Sequence, residues 1–203
     1  MLFRSAAGVT GVVHTAPRRH LSERQAEAVD HLVDAAAIEV ASCGYDALSM
    51  RGIAKRAGVA TATAYTYFSS KDHVLGELLL RRVLAIPEPP ADPAADAATR
   101  LGRVVDDLGA ITTGGPEVVA AYTQALLSSN PDVKRLRDRI GVEVARRIAG
   151  AADRPIDDRR VRVLVTTYFG ALLMAGMGHM PYPDVPAFVA EAAGLMADPE
   201  GPR

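Results

Sequence analysis

Residues 49–75 read SMRGIAKRAGVATATAYTYFSSKDHVL, and the fold follows from how this run punctuates itself. Ser49 is an N-cap, a hydroxyl placed to accept from an orphan amide in the first turn of the helix that starts at Met50. Ile53, Ala54 and Ala57 give that short helix a narrow apolar stripe. Gly58 stops it, because glycine takes the left-handed C′ conformation without a Cβ penalty, and Val59 then turns toward the core. A second short helix is predicted from Thr61 to Phe68, with Ala64 and Phe68 inward and Thr61, Thr63, Thr66 and Tyr67 outward. Two helices across a glycine turn make a helix-turn-helix, whose second helix enters the major groove of DNA.

The charges in the run agree with a polyanionic partner. Arg51 and Lys71 each fall in the first turn of a predicted helix, where the macrodipole disfavours a cation by about 0.3 to 1 kcal/mol. A phosphate reverses that penalty. Residues 60–70 carry no charge, so this helix must read DNA with hydroxyls, methyls and backbone amides.

The pattern Ser49, Met50, Arg51, Ile53, Ala54, Ala57-Gly58-Val59, Thr63, Tyr65, Tyr67-Phe68, Ser70-Lys71-Asp72 and Leu75 resembles the DNA-binding motif of the TetR family of bacterial repressors. The resemblance extends back through Gly44-Tyr45-Asp46-Ala47-Leu48 and covers roughly residues 24–83. It implies that Ser49 and Arg51 contact an operator from the second helix, with Arg51 reading a guanine. It implies also that Thr61, Ala62 and Thr63 approach base edges while Tyr65, Tyr67 and Lys71 hold phosphates; Thr66 shares the outward face. Three positions depart from the family pattern. Gly52 replaces an acidic residue, Ala64 replaces a bulkier apolar one, and Ala60 lacks an N-cap oxygen, which leaves Thr61 as the expected cap.

The chain as a whole has 203 residues, is 49% hydrophobic and has a net charge of −1. That length buries a sizeable core in one or two helical domains. The charge excludes bulk attraction to nucleic acid, so DNA binding must come from a local basic face. The single Cys43 excludes an internal disulfide, and its position on an apolar helical stripe predicts a buried side chain. A cytoplasmic location is expected, with no membrane partner. Residues 1–21 read as a flexible arm without a signal peptide. Arg18, Arg19 and His20 suit a backbone or minor-groove contact; a plain extension is the alternative.

The predicted architecture is all-α: a helix-turn-helix DNA-binding domain of three helices at 22–70, a connecting helix with a proline-rich loop at 71–95, and an antiparallel helical body at 96–203. Ser22-Glu23-Arg24-Gln25 opens the first helix as a capping box, and Val29, Leu32, Val33, Ala36, Ala37, Val40 and Ala41 form its inner stripe. Val74, Leu75, Leu78 and Leu79 are the inner face of the connecting helix. The prolines from Pro87 to Pro93 then break every helical pattern. Beyond them helices are expected over roughly 96–113, 116–129, 132–151, 157–179 and 184–197, packed antiparallel through short connections.

The stretch 161–177 is apolar nearly all round, too short and interrupted for a membrane span, and so must be buried on every side. A second copy of the chain is the natural cover for one face. Val161, Leu164, Ala171, Ala175 and Gly178, with Phe188, Ala192 and Leu195 from the last helix, are the expected homodimer interface. The resemblance implies the same arrangement and also a small-molecule effector, whose apolar cavity draws on Tyr122, Gln124, Thr167, Tyr168, Met174 and Met177. Packing alone also explains each of these residues.

No cofactor or metal is expected. His14, His20, His31, His73 and His179 show no metal-ligand spacing with one another, and Asp106-Asp107 and Asp157-Asp158 point to different helix sides, so an enzyme is not the expected function. The expectation is a homodimeric, ligand-responsive regulator binding a double-stranded palindromic operator, with repression the expected action. Activation and ligand-free architectural DNA binding are the alternatives.

Overall fold

The computed structural model describes residues 23–88, 94–109 and 115–197. The arm at 1–21, the cap Ser22 and the loop centre at 89–93 lie outside these residues. Nine α-helices and no strand occur among the described residues: α1 (Glu23–Ala47), α2 (Met50–Arg56), α3 (Thr61–Tyr67), α4 (Lys71–Ala85), α5 (Ala97–Gly109), α6 (Pro116–Leu126), α7 (Pro131–Ala151), α8 (Arg159–Gly176) and α9 (Val185–Ala197). A single 3₁₀ turn at Tyr182–Asp184 precedes α9.

The sequence caps account for the helix ends. Asn130 accepts from the Asp132 amide at 2.8 Å to open α7, with Pro131 behind it. Asp158 accepts from the Arg160 amide at 2.6 Å and starts α8 later than periodicity alone suggests. At the other end of α8, Gly178 has φ 79. Its amide reaches Ala175 and the His179 amide reaches Met174, both at 3.0 Å, which closes the helix by a Schellman turn. Gly178 is therefore a helix stop with open space around its Cα, not part of a close-packing strip.

A single apolar cluster runs from Leu32 and Val33 in α1 through Ile53, Leu75, Leu80 and Leu108 to Ile148 and Val189 in α9. Helix α1 packs on α2, α4 and α6, and α4 packs on α1, α6 and α7. The reader and the body thus share a core, with α4 belonging to both. Arg147 is the buried charged side chain of the described core. It donates to the carbonyls of Ile86 at 2.8 Å and Pro87 at 3.2 Å and pairs with Glu143 at 2.7 Å, fastening the end of α4 onto α7.

Cys43 is exposed, contrary to the expectation of burial. Val40 is the last buried residue of α1, and residues 41–43 are all solvent-facing. The stripe continues in sequence after the helix has passed the edge of the core. Gly44, at φ 69, then kinks the chain.

Candidate nucleic-acid interface

Helices α2 and α3 present the site. The Ser49 hydroxyl accepts from the Gly52 amide at 3.2 Å, as its N-cap position requires. Helix α2 ends in a Schellman turn: the Gly58 amide reaches Lys55 at 3.3 Å and the Val59 amide reaches Ala54 at 3.0 Å, with Gly58 at φ 71. Both bonds satisfy carbonyls that the helix end would leave open. Ile53, Ala54, Ala64 and Phe68 are buried as α2 packs on α1 and α3 packs in turn on α2.

Ser49, Arg51, Thr61, Ala62, Tyr65 and Thr66 are exposed together on the outer side of the two helices. Arg51 and Lys55 have no hydrogen-bond or ion-pair partner among the described residues, whereas Arg56 is held by Glu39 at 2.5 Å. Tyr65 is 55% exposed. Thr63 and Tyr67 are only half exposed, and the Tyr67 ring leans on the core. Tyr67 therefore offers its edge, not its full face. The Thr66 hydroxyl donates to the Ala62 carbonyl at 3.1 Å, leaving its methyl and lone pairs outward.

Lys71 is more committed than the sequence suggested. Its ammonium donates to the Tyr45 carbonyl at 2.7 Å and lies 4.0 Å from the centre of the Tyr45 ring. The Tyr45 hydroxyl donates in turn to Asp72 at 2.7 Å, and burial with that carboxylate pushes the phenol pKa up to about 12.

The departures at Gly52 and Ala60 have structural accounts. A Cβ at Gly52 would lie 3.3 Å from Glu39 Oε2 and 3.3 Å from Ser49 Oγ. A carboxylate therefore already stands beside α2, supplied from α1. Ala60 is the N-cap of α3 and gives no side-chain bond. Thr61 is the first helical residue and does not cap. The first-turn amides of α3 therefore have no side-chain cap.

The residues expected at an effector cavity separate into two groups. Tyr122 and Tyr168 are buried and Thr167 is half-buried. The Tyr122 hydroxyl has no partner, and burial pushes its pKa up to about 12; burial raises that of Tyr168 as well. Gln124, Met174 and Met177 face solvent instead, with Met177 54% exposed, and do not line an internal cavity. The two methionines fall on the α8 face shared with Val163 and Leu173, turned away from the core. A groove of about 360 Å³ lies between α4 and α7, floored by Leu80, Leu84 and Val142 and rimmed by Asp138, Arg139 and Glu143.

The expected dimer interface divides in the same way. Val161, Leu164, Ala171 and Ala175, expected at the dimer interface, are buried within the chain itself and pack into its own core instead. Phe188, at 48%, and Leu195, at 72%, are exposed, and Ala192 is half-buried between them. The outward face of α8 is Val163, Leu173, Met174 and Met177. Helix α9 packs beside it.

Residues 32–78 match the model of bacterial regulatory proteins of the tetR family. An HTH-type transcriptional regulator of Mycobacterium tuberculosis is 35% identical over 197 residues, covering 91% of this chain and 92% of its own. The HTH-type transcriptional repressor KstR of the same species is 31% identical over 161 residues, covering 75% of this chain and 72% of its own. A TetR transcriptional regulator from Rhodococcus sp. RHA1 superposes with a TM-score of 0.71 at 23% identity, over 89% of this chain and 100% of that one. Thermus thermophilus FadR, in complex with lauroyl-CoA, superposes with a TM-score of 0.60 at 19% identity, over 84% and 93%. These two structures share the fold. No helix among the described residues is long and apolar enough to cross a membrane.

Proposed function

The chain belongs to the TetR family of bacterial transcriptional regulators, and from that premise we propose that it is a homodimeric repressor that reads a palindromic operator and leaves it when a small apolar effector enters the body. The observation that carries the reading is the outer face of α2 and α3, where Arg51 stands exposed and unpaired beside Ser49, Thr61 and Ala62. Arg51 reads a guanine edge from α2. Thr61, Ala62 and Thr63 meet base edges from α3, with threonine methyls suited to thymine. Tyr65, Tyr67, the free protons of Lys71 and the uncapped amides of α3 take phosphate oxygens. Lys55, which sequence reasoning did not single out, joins them as a phosphate contact from the last turn of α2.

A net charge of −1 leaves little non-specific attraction, so a single reader would bind weakly. Two readers, about 34 to 36 Å apart on one face of the duplex, make a specific binder. The outward apolar residues of α8 and α9 support the dimer: Val163, Leu173, Met174 and Met177 beside Phe188 and Leu195 form an apolar surface on adjacent helices. Repression has the support of the relative named as a repressor.

The effector is largely apolar because the fully buried charge of the described core is already engaged, while Arg82 stands half-buried with its guanidinium 5.6 Å from the centre of the Tyr122 ring. Arg147 is fully engaged by carbonyls and Glu143. The orphan Tyr122 hydroxyl is the donor for one acceptor on the ligand. The acyl ligand of the structural neighbour from Thermus thermophilus is consistent with an apolar chain in such a body. Selection of bound duplexes from a random pool tests the reading: an inverted repeat is expected, and recovery of unrelated sequences overturns it.

A further inference from the structure

A polar knot ties the exit of α3 to the first turn of α7. Three residues, Phe68, Ser69 and Ser70, separate α3 from α4, so the angle between the recognition helix and the body is set there. The Ser69 hydroxyl donates to Asp132 Oδ2 at 2.7 Å and accepts from Asn130 Nδ2 at 3.0 Å. The Ser70 hydroxyl lies 3.4 Å from the same Asn130 nitrogen and caps α4 by accepting from the His73 amide at 3.1 Å. His73 completes the knot. Its Nδ1 accepts from the Ser69 amide at 3.2 Å, stands 3.8 Å from Asp132 Oδ2, and its ring meets Phe68 edge-on at 5.2 Å.

We propose that Asn130 and Asp132 are positioning residues for DNA reading, fixing the tilt of α3 from the body through Ser69, and that His73 makes this fixation sensitive to pH. The proposal rests on the reading of α3 as the recognition helix. Two of the three elbow residues are bonded from the N-cap and first turn of α7, by partners sixty or more positions away in sequence. This knot fixes the exit of α3 against the first turn of α7.

The pH dependence follows from the lone pair on Nδ1. A protonated Nδ1 presents N–H to the N–H of Ser69, so that bond is lost, and the new donor has only the longer contacts to the Ser69 hydroxyl at 3.3 Å and Asp132 Oδ2 at 3.8 Å in its place. The charged groups around His73 are the carboxylates of Asp132 and of Glu77 on its own helix, which favour the imidazolium, and the Arg135 guanidinium, which opposes it. Burial outweighs the carboxylates and holds the pKa below its ordinary value. A base with a depressed pKa stabilises the state in which it is neutral. The knot is therefore intact above about pH 6.5 and weakens as pH falls below it.

The test is fluorescence anisotropy of the full chain on the duplex that the random pool selects and on a scrambled duplex of equal length, at constant salt. Asp132→Ala is expected to lower operator affinity about tenfold to a hundredfold, the equivalent of one charge-assisted hydrogen bond, with scrambled-duplex affinity unchanged. Asp132→Asn keeps an oxygen for the Ser69 hydroxyl and recovers most of the loss at pH 7.5. His73→Asn places a non-titrating oxygen where Nδ1 stands. It is expected to hold the operator-to-scrambled ratio level between pH 7.5 and 5.5, while the wild-type ratio falls about threefold to tenfold. Wild-type affinity from Asp132→Ala, an equal loss on both duplexes, no rescue by Asp132→Asn, or parallel pH profiles for wild type and His73→Asn would each overturn the proposal. Should Asp132→Ala fail to fold, the His73→Asn profile decides alone. A wild-type chain that selects no sequence at all refutes the DNA reading itself, a distinct result.

Discussion

Gly76 lies on α4 against Leu136 of α7, and replacing it by alanine sets two effects of known size against each other. A Cβ at this position would stand 3.0 Å from Leu136 Cδ1 and 3.6 Å from Leu136 Cβ, whereas relaxed carbon contacts fall near 3.5 to 4.0 Å. Alanine in a helix interior gains about 0.5 to 1 kcal/mol over glycine. Overpacking a closed core costs about 1 to 3 kcal/mol. Leu136 is 6% exposed and has little room to retreat, so the cost prevails and Gly76→Ala should destabilise by about 1 kcal/mol. Urea unfolding followed by circular dichroism measures this. The same substitution in a Leu136→Ala background should reverse sign, because the methyl then fills part of the space that the leucine leaves. A Gly76→Ala chain more stable than wild type by about 0.5 to 1 kcal/mol would show that only helix propensity acts there and that α4 does not approach α7 as described.

Arg51→Ala should cost about 1 to 3 kcal/mol at one operator base pair and relax discrimination there; an equal loss on scrambled DNA would remove its base-reading role. Lys71→Ala should weaken every duplex alike and lower the salt slope by about 1. It should also soften α1 at Tyr45, seen as earlier thermal unfolding. Tyr122→Phe removes a buried hydroxyl without a partner and should stabilise the ligand-free chain by about 1 kcal/mol. The raised phenol pKa stabilises the fold below pH 10 and is lost as pH climbs through 10 toward about 12. Alkaline unfolding curves of wild type and Tyr122→Phe should therefore diverge in that window. Leu195→Glu, at the most exposed large apolar side chain among the described residues of α9, should turn a dimer into a monomer by sedimentation, and a mass unaffected by it would place the interface elsewhere.

Local punctuation was legible in the sequence. Ser49 and Gly58 with Val59 each act over three or four residues, and the structure honours them with a cap and a Schellman turn. Facing was legible wherever polar residues set the phase, as along α1 from Leu32 to Val40. In α8 apolar residues surround the axis, so nothing in the pattern separated Val161, Leu164, Ala171 and Ala175, which face inward, from Val163, Leu173, Met174 and Met177, which face outward. Cys43 failed for the complementary reason: a stripe records helical phase, not where the core ends. The elbow knot was out of reach, since no local signal links Ser69 with Asp132.

Helices α2 and α3 have seven residues each, about half the length at which a helix persists in water by itself. They exist because α1 holds α2 and α2 holds α3, and α1 is itself packed against α4 and α6. A chimera joined at Ser70, carrying this head on a foreign trunk, would strand the α6-facing side of α1 in solvent. Transplanting the specificity to another regulator therefore calls for moving the side chains of the outer face onto the host's own helices, leaving its internal seam untouched.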